Sequence, residues 1–296
     1  MKRCLAAILS LFFLFGAAAP TSTARFSASG IDDAMDLHGD PAQADLVLFV
    51  GGNQWFVLPS LIAAFRAEHP EVRNIFYETL PPGVLSKQVE RGSLQIGELH
   101  LHVHGDVYFS GWQSARRLER MGLVEQPEAY ASNNLGIMVR AHNPLHIHSL
   151  ADLGRAEVRV AMPNPATEGI ARQIRQSYRL AGGAALDRRI MTTKIRAGTT
   201  KLTAIHHRQT PMWILAGTVD AGPVWLTEAL YQKRINSGIE AIALPASQNT
   251  RANYVASIVT GTPHREAAQA FMKFLLSPNA QAIYRSFGFD PSIPKE

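Results

Sequence analysis

The stretch from Asp45 to Phe65 constrains the fold of this chain more than any other. Leu46 to Gly51 carries five apolar side chains and ends in glycine, which predicts a strand buried on both faces and therefore parallel to its neighbours. Gly52 and Asn53 follow as turn residues. Helical spacing begins after the turn, at Leu58, Leu61, Ile62 and Phe65. Such a strand, turn and helix direct backbone N–H groups at the carboxyl edge of a sheet, where open α/β folds bind ligands.

Further apolar strand-like runs alternate with helical patterns along the 296-residue chain. These runs cover Val72–Thr79, Leu99–Phe109, Asn133–Val139, Val158–Met162, Val219–Trp225, Ile239–Leu244 and Tyr254–Val259. Alternation of this kind is typical of an α/β protein with a mostly parallel sheet. The sequence therefore predicts the α/β class, and it contains no internal repeat.

The N-terminus predicts export. Lys2 and Arg3 precede an apolar run from Leu5 to Phe15 and a group of small residues, the pattern of a secretory signal peptide over residues 1–24. Residues 25–44 are small and polar and are expected to form a loose leader. No other apolar run reaches the roughly 18 residues that a membrane helix needs. We therefore expect a periplasmic protein that is not an integral membrane protein.

Composition and motifs exclude several classes of function. The formal net charge is +5 without a basic block, which argues against nucleic acid as a partner and is compatible with a small anionic ligand. The Gly-x-Ser-x-Gly elbow, the His-Glu-x-x-His zinc motif, the phosphate loop and the dinucleotide glycine fingerprint are all missing from the sequence. We therefore expect that the protein is not an enzyme.

A row of histidines is the first candidate for metal binding. His100, His102 and His104 alternate with apolar residues, so on an extended strand their three imidazoles face one way. A His-x-His pair on a strand can bind one transition metal. The outer two lie about 13 Å apart on a straight strand, and a bend at Gly105 would be needed to bring all three to one ion. A polar strand face, a local loop and a proton-sensitive gate are the alternatives.

A second polar cluster contains His207 and Arg208. Adjacent side chains on a strand point in opposite directions, so only one of His206 and His207 is expected to face a given ligand. Arg208 is suited to clamp a carboxylate or phosphate with two hydrogen bonds. Glu168 and Glu228 would complete a metal site or pair with Arg208. The alternatives are a solvated surface loop for the basic cluster and surface positions for the two acids.

The order of several segments resembles one protein family. The segments are Val47–Gln54 with its helix, Pro82–Val89, Asp106–Ser110, Gly217–Trp225 and the ending Ala267–Phe289. In this order and spacing they resemble the type II periplasmic solute-binding proteins, and within them the molybdate-binding branch. The resemblance covers roughly residues 45 to 290.

The resemblance implies a two-lobed periplasmic-binding-protein type II fold with a ligand cleft between the lobes. Lobe one would hold residues 45–132 plus 253–296, and lobe two residues 133–252. The protein would capture a small oxyanion or other small anion and deliver it to the permease and ATPase of an ABC importer, or signal through a sensor kinase. The expected ligand-binding residues are Gly52, Asn53, Gln54, Gly83, Val84, Thr167, Glu168, His207, Arg208 and Trp225.

Molybdate binders of this family present serine hydroxyls from their first two loops. The first loop here has Asn53 and Gln54 instead, the second begins with Pro81 and Pro82, and Trp225 stands at the family's tyrosine position. Amide and indole N–H groups would then serve as the donors. No cofactor is required by this interpretation. The alternative hypothesis is a transition metal or metal chelate bound through His102, His104 or His207 with a carboxylate.

Overall fold

The computed structural model describes residues 35–96, 99–204 and 206–292. The expected signal peptide and the first ten residues of the expected leader lie outside these ranges. In the described part of the chain, no helix combines the length and apolar character required to cross a bilayer.

Two mixed sheets organise the described chain. The first sheet has the spatial order β1 (Leu37–His38), β3 (Ile75–Leu80), β2 (Leu46–Gly51), β6 (Val107–Gly111), β13 (Ala252–Ile258) and β7 (Glu128–Asn133). The second has the order β10 (Thr200–Leu202), β9 (Val160–Met162), β11 (Ala221–Trp225), β8 (Leu135–Arg140) and β12 (Ile239–Ala243). A separate hairpin pairs β4 (Leu94–Ile96) with β5 (Leu99–Leu101).

Helices cover the faces of both sheets. They are α1 (Leu58–Glu68), α2 (Pro82–Arg91), α3 (Trp112–Arg120), α4 (Ile170–Arg188), α5 (Lys194–Arg196), α6 (Gln209–Leu215), α7 (Leu226–Arg234), α8 (Arg265–Leu275) and α9 (Pro278–Ser286). α1, α8 and α9 share one apolar core with the first sheet, and α4 shares another with the second. The predicted α/β class is confirmed. The expectation of mostly parallel pairing is wrong, because the strands that connect the two sheets, β7, β8, β12 and β13, pair antiparallel.

The opening unit forms as its apolar pattern predicts. β2 is buried at every position and pairs in parallel with both β3 and β6. Gly52–Gln54 makes a 3₁₀ turn, and α1 then buries its four apolar residues. Because β2 and β3 are parallel, their carboxyl ends meet at one edge of the first sheet.

The chain passes twice between the sheets. It leaves the first sheet after Asn133 in β7 and enters the second at Leu135 in β8. It returns between Ala243 in β12 and Ala252 in β13. We call the structure around the first sheet the first lobe and that around the second sheet the second lobe. The exact lobe boundaries stay a prediction.

Part of the expected leader belongs to the first lobe. Leu37 and His38 pair with Glu78 and Tyr77 of β3, and the His38 ring stacks on Tyr77 at 4.2 Å between centroids. The expectation of a loose segment is wrong for residues 35–44, because two residues suffice to cover the open edge of β3. So short a strand leaves no periodic signal in the sequence.

The histidine row does not lie on one continuous strand, contrary to expectation. β5 ends at Leu101 and β6 begins at Val107. Gly105 lies between them against the buried ring of Phe49, so close that a Cβ there would sit 2.5 Å from the ring. This close packing separates the hairpin from the first sheet.

The first lobe contains one fully buried carboxyl group that has no ion-pair partner in the described chain. Oε1 of Glu78 accepts a hydrogen bond from Nε2 of Gln88 at 2.8 Å. Within the described residues, Oε2 of Glu78 and Oε1 of Gln88 lack hydrogen-bond partners. Burial raises the pKa of Glu78 to about 8, against the opposing hydrogen bond from Gln88. A proton on Glu78 therefore suits this environment better than a charge.

This raised pKa predicts how stability changes with pH. Between pH 4.5 and about pH 8, Glu78 keeps its proton in the folded chain and loses it in the unfolded chain. The free energy of unfolding should therefore fall as pH rises through this range, by at most about 1.4 kcal/mol per pH unit. Glu78→Gln should remove this slope and be more stable than wild type at pH 8. Urea denaturation at several pH values measures it. The exposed control Glu128→Gln should keep the slope, and an unchanged slope in Glu78→Gln would contradict the assignment.

Candidate functional site

The polar residues of the second lobe converge at one edge of its sheet. β9, β10 and β11 are parallel to one another, so the segments that follow them meet at their carboxyl ends. Glu168 follows β9, His206 to Arg208 follow β10, and Glu228 lies in the first turn of α7 after β11. This is the edge at which open α/β sheets bind ligands.

His207 lies between two carboxylates. Its ring Nδ1 is 2.6 Å from Oε2 of Glu168 and its Nε2 is 2.9 Å from Oε2 of Glu228. All three side chains are buried. Burial alone would lower the pKa of His207, but the charges and hydrogen bonds of Glu228 and Glu168 raise it to about 10. The imidazole is therefore a cation near neutral pH and donates from both nitrogens.

Glu168 is held by donors from three segments. Its Oε1 accepts from the Thr203 hydroxyl and from the backbone N–H of Asn164 at 3.2 Å. Its Oε2 accepts the backbone N–H of His207 at 2.7 Å. Burial opposes ionisation, but the bonds and charge of His207 keep the pKa of Glu168 below its ordinary value. The carboxylate is thus a fixed anion.

His206 packs against His207 with ring centroids 4.0 Å apart. Its Nδ1 accepts the backbone N–H of Arg208 at 3.1 Å. Burial, together with the charges of His207 and Arg208, lowers the pKa of His206 well below its ordinary value. One neutral and one cationic imidazole therefore lie side by side. We call Glu168, His206, His207 and Glu228 the histidine–carboxylate cluster.

Arg208 connects the second lobe to the first. Its Nη1 donates to Oδ1 of Asp36 at 2.8 Å and to the backbone carbonyl of Thr79 at 3.2 Å. Its guanidinium carbon lies 5.8 Å from the centre of the Trp55 ring. The ion pair with Asp36 is buried, so the charges are paired across the space between the lobes.

Gly52 is required by the close approach of these groups. A Cβ at this position would lie 2.9 Å from the carbonyl oxygen of Thr79 and 3.4 Å from both Nη1 of Arg208 and Nε2 of His206. The turn that follows β2 is therefore in direct contact with the basic side chains of the second lobe.

A cavity of about 290 Å³ lies next to this contact. The first lobe contributes Trp55 and Phe56 to its wall. The second lobe contributes Met138, His207, Arg208, Pro211, Met212, Leu215, Glu228, Tyr231 and Gln232. The Phe56 and Tyr231 rings stack across the lobes with centroids 4.7 Å apart. The cavity thus joins an aromatic and aliphatic wall to a charged end.

The predicted side-chain donors of the first loop point into the first lobe. Nδ2 of Asn53 donates to the Tyr254 hydroxyl at 2.5 Å. Oε1 of Gln54 accepts from the Tyr130 and Tyr284 hydroxyls at 3.0 and 3.2 Å.

Trp225 packs edge-to-face against Tyr254, with ring centroids 5.8 Å apart. In this conformation Asn53, Gln54 and Trp225 therefore support the walls of the cleft from behind. Ligand contacts by these three residues stay a prediction.

The other predicted positions lie farther from the cluster or at the surface. Gly83 is exposed and Val84 partly exposed at the start of α2. Thr167 is exposed beside Glu168, in a groove of about 460 Å³ that also includes Arg172. Helix α4 begins three residues later, at Ile170. Of the predicted ligand residues, the structure brings Gly52, Glu168, His207 and Arg208 together.

The histidine row lies on the surface of the first lobe. His100, His102 and His104 are exposed, whereas Val103 between them is buried. Among the described residues, the group of metal-ligating side chains that converges within 4.8 Å is instead Glu168, His206 and His207. Metal binding by the row stays a prediction.

Sequence reasoning missed the contribution of the first lobe to this site. Asp36 lies in the segment expected to be loose, and Thr79 takes part through its backbone carbonyl. Trp55 and Phe56 follow the turn at Gly52 and carried a signal, since aromatic residues directly after a ligand-binding turn face the same cleft.

Fold and site together define a two-lobed binding protein with a cleft between the lobes. Residues 46–290 match the family model described as "Bacterial extracellular solute-binding protein", and the chain belongs to this family. It is also 35% identical over 82 residues to YvgL of Bacillus subtilis (strain 168), whose name describes an ABC transporter substrate-binding lipoprotein. That match spans 28% of this chain and 30% of YvgL.

Solved structures show the same fold. The sulfate-binding protein SubI from Mycobacterium tuberculosis H37Rv matches with a TM-score of 0.65 and 21% identity, over 84% of this chain and 86% of that one. The periplasmic molybdate-binding protein of Azotobacter vinelandii matches with a TM-score of 0.67 and 19% identity, over 84% and 100%. The predicted resemblance to molybdate-binding proteins is confirmed at the level of the fold.

The ion pair between the lobes predicts a large stability effect. Asp36→Asn keeps the shape of the side chain but removes the buried carboxylate charge that pairs with Arg208, which should cost about 3 kcal/mol. The double variant Asp36→Asn with Arg208→Met should lose less than the sum of the two single variants, because each change removes the same interaction. Urea denaturation of all four proteins measures this coupling. Strictly additive losses of unfolding free energy would contradict an energetic coupling between Asp36 and Arg208.

Proposed function

We propose that the chain is an exported solute-binding protein that captures a small anion in the cavity between its lobes and delivers it to an ABC importer. The observation that carries this proposal is the position of Arg208, which lines the cavity while reaching the first lobe. A ligand that contacts residues of both lobes stabilises their closed arrangement, which is how a binding protein signals that it is loaded.

The cavity wall supports a particular kind of anion. A guanidinium is suited to carboxylate and phosphate groups because its N–H donors match their geometry. The remaining wall is mainly aromatic and aliphatic, including Trp55, Phe56 and Tyr231. At about 290 Å³ the volume is near the lower end for small-molecule sites. We therefore favour a small organic acid over a bare tetrahedral oxyanion.

The proposal also covers the cellular location of the protein and its transporter partner. The predicted signal peptide places the mature protein in the periplasm, and the family description and the name of YvgL support extracellular solute binding for an ABC transporter. The partners are then a permease with its ATPase, and a sensor kinase is the alternative. We propose binding without catalysis, because the family description and the name of YvgL are those of solute-binding proteins.

A ligand panel tests this function. The chelator-treated mature protein is heated with sulfate, molybdate, phosphate or small carboxylates, and the midpoint of unfolding is measured. A ligand at a thousand times its Kd should raise stability by about 4 kcal/mol, or roughly 8–16 °C for a chain of this size. We expect the largest shift from a small carboxylate.

Two variants assign the binding site. Arg208→Met should abolish the shift, whereas the exposed control Arg91→Met should retain it. Calorimetric titration of the ligand that gives the shift provides the affinities. If no anion in the panel shifts the midpoint, or if Arg208→Met binds as wild type does, anion capture at this cavity is wrong.

A further inference from the structure

We propose that the histidine–carboxylate cluster binds one divalent first-row transition-metal ion, with Glu168, His206 and His207 as its ligands. This metal site borders the anion cavity but does not depend on the anion proposal, since Arg208 is not a ligand. It differs from the exposed histidine row, and the two sites share no residue.

The positions of the ligand atoms support an ion at this cluster. One ligand atom from each of Glu168, His206 and His207 lies within 4.8 Å of the other two. A tetrahedral Zn²⁺ bonds nitrogen and oxygen at about 2.0–2.2 Å, which sets neighbouring ligands roughly 3.4 Å apart. Ligand atoms that lie farther apart than this need to approach by at most about 1.4 Å. Nδ1 of His207 and Oε2 of Glu168, which are 2.6 Å apart in a hydrogen bond, would instead need to separate by roughly 0.8 Å. Two imidazoles and a carboxylate are ligands that this class of ion accepts.

The charges of the cluster also fit a divalent cation. Glu168 and Glu228 are two buried carboxylates that contact the same imidazole ring, that of His207. A divalent ion at this cluster would balance the charge of the two carboxylates. Glu228 contacts Nε2 of His207 whereas Glu168 contacts Nδ1, so Glu228 would hold the His207 ring as an outer acceptor and would not be a ligand.

The surroundings hold one ligand firmly and leave access to the others. Glu168 already accepts bonds from Thr203 and Asn164, and such outer contacts orient metal ligands. Glu168 lines the outer groove, while His207 and Glu228 line the cavity between the lobes. An ion therefore has an approach from either side.

The main competing interaction lies at His206. Its Nδ1 accepts the backbone N–H of Arg208. Coordination through Nδ1 would use the same lone pair, and coordination through Nε2 would place the ring proton on Nδ1. Either way the bond from Arg208 is lost, so binding of the ion should alter the backbone that carries the arginine.

Calorimetric titration with Zn²⁺ alone tests the site, on chelator-treated mature protein in a buffer free of anionic ligands. Wild type should bind one ion per chain. Glu168→Gln and His206→Asn should each weaken binding at least tenfold, since each removes one ligand. The triple variant His100→Ala, His102→Ala and His104→Ala is the matched control and should bind as wild type does.

A measurement on the unaltered protein guards against variants that fail to fold. Co²⁺ in a four-coordinate site absorbs visible light far more strongly than in water, and Zn²⁺ should displace it and remove the absorption. Arg208→Met should keep Zn²⁺ binding even where it loses the anion, so the two proposals fail separately. The metal proposal is overturned if wild type binds no Zn²⁺, or if the triple histidine variant loses the binding and the cluster variants retain it.

Discussion

The site depends on one buried cation held between two anions. Taking the charge of His207 out of water is costly unless it is paired on both sides, and Glu168 and Glu228 supply the two partners. These residues follow three different parallel strands of the second sheet. Their pairing therefore fixes three loops relative to one another, which determines where His206 and Arg208 can lie.

Arg208 extends this arrangement to the other lobe. Its backbone is fixed beside the histidines, and its side chain reaches Asp36 and the Thr79 carbonyl in the first lobe. Lobe closure in this family brings cleft walls together around a solute. Here a direct ion pair joins the walls, so an anion bound as proposed would compete with Asp36 for the same guanidinium. Such competition would tune affinity, because part of the ligand's binding energy replaces an existing bond.

Sequence reasoning predicted the features that depend on local pattern. The uninterrupted apolar run from Leu46 to Gly51 was sufficient to predict a buried parallel strand and the turn that follows it. Glu168, His207 and Arg208 were chosen as candidates from residue type. Charged and polar side chains that follow buried apolar strands are rarely buried unless they are paired.

Features that depend on contacts between distant segments could not be predicted from the sequence. The amides of Asn53 and Gln54 turn inward because tyrosines from later segments supply their partners. The pair of Asp36 and Arg208 joins residues 172 positions apart, and nothing near Asp36 indicates it. The histidine row begins on a short hairpin strand at His100 and continues at His102 and His104 in the segment before β6, so periodicity alone could not locate it.

The position of Asp36 has a practical consequence for how this protein is produced. The matched family region begins at residue 46, so a fragment trimmed to that boundary lacks both the edge strand Leu37–His38 and the counter-ion of Arg208. Such a fragment retains the helices α1 to α9 and the core strands of both described sheets, yet it lacks the Asp36 carboxylate that pairs with Arg208 in the cleft. Ligand screens on it would report the affinity of an artificially cationic pocket, and anions that the intact protein rejects would register as hits.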